Sequence, residues 1–290
     1  MLETRDEMVS FSYLQWQELY KQEKPFQVFS QLPADAADQR PTNLVFWNAP
    51  EEAVKDLRGT EAQFTLDQNG FMVRHQDMPK TDLHTEDAVR NEYVPHIEEL
   101  LKKEVDGVHF IYCFDWGKRK NAPLQKSRIN VNDKMQLLEP GKQVHCDQSP
   151  TGALNRLKYH APDQVNRALA GRLRIINVWR PLYHEVFDNP LALCDGQTID
   201  GEDLVEVDHI TKMYHGNTMY GLYSTKHKWY YLKHQRPDEL HIFKIFDSDS
   251  DVAASCSFHT SFLHKEIPQD APPRESFEAR FLVITDTPQT

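Results

Sequence analysis

No stretch of this 290-residue chain reaches the 18 or so consecutive apolar residues that a membrane-spanning helix requires. It also lacks any C-x-x-C pair. Its four cysteines, Cys113, Cys146, Cys194 and Cys256, lie far apart, which excludes a disulfide framework and a structural zinc site. Positive charge is scarce: the formal net charge is -11, whereas a general nucleic-acid or anionic-membrane binder needs a basic face. The first residues, Met1-Leu-Glu-Thr-Arg-Asp-Glu-Met8, are charged where a signal peptide is apolar. Internal repeats and low-complexity tracts are missing too. These absences predict a reduced, cytoplasmic, soluble protein with no nucleic-acid and no membrane partner.

What remains is an ordinary globular mixture, 39% hydrophobic and 27% charged, long enough to build a sizeable core. The first third is mixed. Phe11 to Trp16 and Leu44 to Trp47 form short apolar anchors. Residues 82–103 predict a helix, with Val89, Tyr93, Ile97, Leu100 and Leu101 near helical spacing and Pro95 as an interruption. After Gly107 the texture changes to strands: 108–114, 143–147, 174–179, 219–224, 228–232, 240–246, 253–262 and 277–285, with one helix over 151–169. Lys118-Arg119-Lys120 reads as the start of a solvated polar loop. Short strands with polar turns predict a mainly β fold with flanking helices, an antiparallel barrel or sandwich. No composition break divides the chain, so residues 1–290 are expected to form one domain, with 1–105 as helical and irregular support and 106–290 as the β core.

The chemistry is carried by His145-Cys146-Asp147, His259 and Arg274-Glu275-Ser276. In a strand, residues i and i+2 share a face, so His145 and Asp147 can converge on one ion. With a second histidine they make the two-histidine, one-carboxylate face that binds Fe(II) and leaves positions open for a co-substrate and oxygen. An H-x-D triplet alone is weak, and His75-Gln76-Asp77 is a second copy. His75 precedes the predicted helix; His145 lies on an apparent strand with the later elements in order. Among the histidines after Asp147, His259 is preferred because it sits in a strand near the end of the β region; His264 is its rival.

Arg274 and Ser276 share strand parity and can grip the far carboxylate of a dicarboxylate co-substrate, with Arg280 as the alternative arginine. Trp179 and Arg180 on one strand, and Tyr230 on another, are candidate walls of a substrate or co-substrate pocket, weighed against ordinary roles in core packing and ion pairing. Lys244, on an apolar strand face, is read as snorkelling.

Several blocks in order resemble the AsaB-like hydroxylase/desaturase family, the group that includes gibberellin desaturase and the CmcJ-type cephalosporin methoxylase component. They are N-G-F at 69–71, V-H-C-D-Q-S at 144–149, V-W-R-P-L at 178–182, P-L-A-L-C-D at 190–195, K-W-Y-Y at 228–231, P-D-E-L at 237–240, K-I-F-D-S at 244–248, S-F-H-T-S-F at 257–262 and P-R-E-S-F-E-A-R at 273–280. The resemblance implies a branch of the Fe(II)/2-oxoglutarate oxygenases. It implies a double-stranded β-helix (jelly-roll or cupin-like) core, with His145, Asp147 and His259 as iron ligands and Arg274 and Ser276 on 2-oxoglutarate. The spacing departs from the wider superfamily: Arg274 follows His259 by 15 residues (274 − 259), a longer gap than usual.

The resemblance further implies O2 and a small-molecule substrate of fungal secondary metabolism as partners; a homodimer is the expected assembly. The expected chemistry is C–H abstraction leading to hydroxylation, desaturation or ring closure. Two other readings stay open: an iron oxidase that does not use 2-oxoglutarate, and a non-catalytic binding subunit of a two-component system.

Overall fold

A computed structural model describes residues 6–122, 133–211 and 215–286. Two sheets dominate it. The first has six strands in the order Phe71–His75, Glu239–Asp247, Arg172–Pro181, Glu275–Thr285, Val108–Lys120 and Leu137–Leu138. The second has nine, and its centre runs Leu191–Cys194, His259–Ser261, His145–Cys146, His215–Gly221. Neighbours within that central group pair antiparallel. Two sheets facing each other across a shared core make the jelly-roll form of the double-stranded β-helix.

The main core lies between the sheets. Leu173, Ile175, Phe243 and Leu282 from the first meet Val144, Leu193, Trp229 and Phe258 from the second. A second core lies on the outer face of the six-stranded sheet. There Ile97 and Leu101 of the helix Val94–Glu104 pack on Ile176, Val178, Ala279 and Phe281. The alternation is legible in Glu275–Thr285: Leu282 and Ile284 enter the main core, Phe281 and Val283 the helix-covered one. This period of two makes the strand a wall between two compartments.

All five apolar residues expected on the 82–103 helix are buried. The helix starts at Glu86, and Val89–Tyr93 forms a π-helical turn before the α-helix Val94–Glu104. Pro95 falls in the first turn of that last segment. A proline has no N–H to give to the preceding turn, and a widened turn accommodates the loss.

Other expectations are corrected. The helix expected over 151–169 is two, Pro150–His160 and Val165–Ala170, broken at Ala161-Pro162 because proline disfavours a helical predecessor. The strand Val108–Lys120 runs straight through Lys118-Arg119-Lys120, which is therefore no loop. The strand expected over 253–262 is ordered as one only at His259–Ser261. Residues before 106 supply strands to both sheets, Glu52–Asp56 to one and Phe71–His75 to the other. The anchors at Ser12–Leu14 and Phe46–Asn48 pair with each other. Gly70 has φ +80°, and a Cβ there would lie 2.8 Å from the Cys256 carbonyl oxygen, so this turn requires glycine.

Candidate metal centre and its surroundings

The fold brings together residues that lie 112 positions apart (259 − 147). His259 and His145 are direct cross-strand partners, and their ring centroids are 4.1 Å apart. Asp147 follows the short strand His145–Cys146. Ligand atoms of His145, Asp147 and His259 all lie within 4.8 Å of one another. His145 Nε2 is 3.5 Å from Asp147 Oδ1, and His259 Nε2 is 3.8 Å from Asp147 Oδ2.

Each of the three is oriented by a neighbour. His145 Nδ1 lies 2.8 Å from the Gln143 carbonyl oxygen, which can only accept, so Nδ1 carries the proton and Nε2 keeps its lone pair. Asp147 Oδ2 accepts from Asn177 Nδ2 at 2.6 Å and Arg280 Nε at 2.9 Å. Oδ1 is left toward His145. His259 packs on Phe243, ring centroids 4.9 Å apart. Such neighbours fix ring orientation and tune ligand basicity in metal sites.

The electrostatics suit a cation. Burial pushes the Asp147 carboxyl up, but Arg280, then His145 and His259, override it and hold the group well below the usual carboxylate range. Burial, reinforced by His145, keeps His259 well below the ordinary histidine value and so neutral. An anionic carboxylate beside the neutral imidazole of His259 is a protonation state suited to metal ligation.

The competing candidates are accounted for. His264 Nε2 faces Glu7 at 3.1 Å, and Nδ1 lies 3.0 Å from the Glu266 carbonyl oxygen. His75, the first residue of the other H-x-D copy, ends the strand Phe71–His75; its ring is exposed and 3.6 Å from Asp238.

The two candidate arginines behave differently. Arg280 is fully engaged, with Asp147, with Asp115 at 3.0 Å and with Glu278 at 2.8 Å. Arg274 is more deeply buried but has no carboxylate within ion-pair distance among the described residues. Its NH1 donates to the Asn189 carbonyl at 2.6 Å, and its guanidinium lies over Trp179, 5.5 Å from the ring centroid. Arg274 Nε and the nearby Ser276 Oγ are buried without hydrogen-bond partners. Burial, then the charge of Arg119, presses the Arg274 guanidinium below its ordinary range. A buried cation and a buried hydroxyl, both short of acceptors, fit a carboxylate.

The remaining expectations divide. Trp179 lies in the main core as the platform for Arg274. Arg180 does not reach the site: its Nε donates to the Pro237 carbonyl at 2.6 Å and its NH2 to Gln76, because strand parity turns it away from Trp179. Tyr230 is core as well, its ring 4.8 Å from that of Phe64 and 5.9 Å from that of Phe71. Lys244 does not snorkel. It is completely buried, with Nζ 2.5 Å from Asp247 and 3.2 Å from Asp67.

The cavity beside the triad has a volume of about 290 Å³ and is lined by His145, Asp147, Gln148, His209, Tyr220 and Arg119, among others. It shares Asp147, Gln148, His209, Arg119 and Arg280 with a larger hollow of about 810 Å³, walled also by Phe114, Tyr159 and Arg156. Reading the sequence missed Asn177, Glu278, Asp115 and Arg119. Asp115 and Arg119 were findable by carrying strand parity past Phe114; Asn177 and Glu278 stand on strands already assigned.

A jelly roll with two histidines and a carboxylate converging between its sheets is the arrangement of the non-heme iron oxygenases. The chain matches the family model described as an oxidoreductase/YMDC permease-like domain over residues 11–284. It is 33% identical over 246 residues to the Fe(II)/2-oxoglutarate-dependent dioxygenase nvfI of Aspergillus novofumigatus, covering 82% of this chain and 84% of that one. It is 30% identical to the alpha-ketoglutarate-dependent dioxygenase tstK of Talaromyces stipitatus, covering 80% and 83%. Among solved structures it superposes on the iron and alpha-ketoglutarate-dependent endoperoxidase NvfI with a TM-score of 0.84 at 27% identity, over 97% of this chain and 98% of that one. The chain belongs to this oxidoreductase family and is an Fe(II)/2-oxoglutarate-dependent dioxygenase. Among the described residues no helix is long and apolar enough to cross a membrane.

Proposed function

We propose that His145, Asp147 and His259 hold the ferrous ion, that Arg274 with Ser276 holds the far carboxylate of 2-oxoglutarate, and that the enzyme oxidises a C–H bond of a small organic molecule. The observation that carries this reading is the pair of unlike polar clusters in one barrel. Three ligand atoms converge within 4.8 Å, and apart from them stand a buried guanidinium and a hydroxyl with unused donors.

When bound, Fe(II) with 2-oxoglutarate supplies the oxygen-activating chemistry that removes hydrogen from an unactivated carbon. The protein's part is to bind and orient. Gln143 holds the His145 ring, while Asn177 and Arg280 hold one oxygen of Asp147 and leave the other for the ion. Trp179 carries the Arg274 guanidinium on its face. Phe243 and the surrounding core keep water from the His259 side. Substrate enters from the larger hollow, whose aromatic and cationic walls suit a ring-bearing molecule with polar groups. The names of the relatives, among them a fungal aspirochlorine biosynthesis protein and an endoperoxidase, support a substrate from secondary metabolism. We read residues 1–290 as one oxygenase unit, since strands from the first third enter both sheets.

The test is anaerobic difference spectroscopy with one equivalent of Fe(II) and 2-oxoglutarate on the wild type and His259→Ala. A visible charge-transfer band in the first and its loss in the second are expected. A wild type that forms no band under these conditions would refute the assignment.

A further inference from the structure

The cavity beside the triad contains a guanidinium that neither the metal ligands nor the Arg274 cradle explains. Arg119 stands on Val108–Lys120 directly opposite Ser276 in the register of the adjacent strand Glu275–Thr285. It lines the small cavity together with His145 and Asp147, and also the larger hollow outside. Its neighbours in sequence are engaged elsewhere. Lys118 Nζ donates to the Leu83 carbonyl at 2.9 Å, and Lys120 pairs with Glu275 at 2.7 Å. The Arg119 side chain makes one hydrogen bond among the described residues, from NH1 to the Glu139 carbonyl at 2.7 Å.

The acids of the cavity do not neutralise it. Asp115 is taken by Lys134 and Arg280, Glu278 by Arg280 and Asn177, and Asp147 by Arg280 and Asn177. Arg119 forms no ion pair among the described residues. Its positive charge also presses on the Arg274 guanidinium in the cradle. A guanidinium with a rigid fork of donors, placed in a partly desolvated cavity without a carboxylate, is matched to one from a ligand.

We propose that Arg119 is a further anion-binding residue of this site, taking a carboxylate of a small molecule bound between the metal triad and the Arg274–Ser276 pair. The proposal rests on the functional reading above. The carboxylate can belong to 2-oxoglutarate, as a second grip beside Arg274, or to the organic substrate.

The variants are Arg119→Gln and Arg119→Lys, read by equilibrium binding. The first arm titrates anaerobic Fe(II)-loaded protein with 2-oxoglutarate and follows the visible band. The second adds 2-naphthoate, or 2-naphthamide as its uncharged control, to protein already saturated with Fe(II) and 2-oxoglutarate, and follows the shift of that band. If the carboxylate is the co-substrate's, Arg119→Gln raises the dissociation constant for 2-oxoglutarate about tenfold or more, and Lys restores part of it. If it is the substrate's, 2-oxoglutarate binding is unchanged, and the naphthoate response of the wild type, absent with naphthamide, disappears in Arg119→Gln. Unchanged binding in both arms, with full iron loading and an unaltered melting temperature, overturns the proposal while leaving the functional assignment standing. Failure of the wild type to form the band refutes that assignment instead. Arg119→Lys retains the charge and supplies the comparison should the Gln variant not fold.

Discussion

Two buried cations near opposite ends of the strand Arg172–Pro181 have opposite fates. At the first end Arg172 donates to Asp247 from Nε at 2.9 Å and from NH2 at 2.6 Å, and to Asp67 at 2.6 Å. Lys244 closes the cluster by bonding both acids. At the other end Pro181 lies opposite Ser276, and there Ser276 Oγ and Arg274 Nε have no partner. The same strand supports both, and all ten of its residues are buried. A buried charge with every donor used is framework. A buried charge with donors to spare, here beside a buried hydroxyl that also lacks a partner, has the capacity to take a ligand, because leaving such groups unpaired costs stability. The triad lies between the two ends: Asn177, in mid-strand, bonds both Asp147 and Glu278.

Substitutions at each place should separate these roles. The largest effect is expected at the metal: His259→Ala should abolish stoichiometric Fe(II) binding, measured by anaerobic titration, while the protein stays folded. A variant that still binds one equivalent would remove His259 from the centre. Next, Lys244→Met strands part of the ionic cluster and should lower unfolding stability by about 3–5 kcal/mol in a denaturant titration, with iron and 2-oxoglutarate affinities unchanged. Arg274→Gln should do the reverse. The dissociation constant for 2-oxoglutarate should rise about 10- to 100-fold, the worth of charge-assisted hydrogen bonds, with stability equal to or above wild type. If Lys244→Met impaired co-substrate binding, or Arg274→Gln mainly unfolded the protein, the division between framework and ligand site would fail.

The smallest effect concerns an acid outside both ends. Burial pushes Glu52 up to about 7, against opposing hydrogen bonds from Tyr13 and Trp229. Its folded value lies above its unfolded one, so the protonated carboxyl favours folding at low pH. That advantage fades as pH rises from the unfolded value and is gone once pH passes 7. Glu52→Gln should therefore gain stability relative to wild type between pH 5 and pH 7.5, read by melting temperature at the two pH values. A difference that does not change with pH would show that Glu52 titrates normally.

Much of this arrangement is legible in the chain. The period-two pattern of 277–285 marks a strand, and the helical spacing of Val89, Tyr93, Ile97 and Leu101 marks the helix that covers it. His145, Asp147 and His259 are identifiable because H-x-D on a strand and a late strand histidine occur in the required order. Errors arose where local pattern competes with tertiary context. Lys118-Arg119-Lys120 looks like a loop by charge, yet pairing with residues 275–277 holds it in a strand. Lys244 looks like a snorkelling lysine because Asp67, which bonds it, is 177 residues away in sequence. Arg180 and Trp179 are adjacent in sequence and belong to different compartments.

By itself the sequence determined the class of fold, the types of the candidate metal-binding residues and the order in which they occur, since these depend on periodicity and residue chemistry that act locally. Only the tertiary structure decided which arginine is spent and which is available. Arg274, immediately before the strand Glu275–Thr285, and Arg280 on it have the same parity along the chain. They differ because Asp147, Asp115 and Glu278 surround one, and Trp179 and the Asn189 carbonyl meet the other. Charge pairing across a barrel is set by which distant side chains the sheets bring within 3 Å, and no spacing along the chain encodes that.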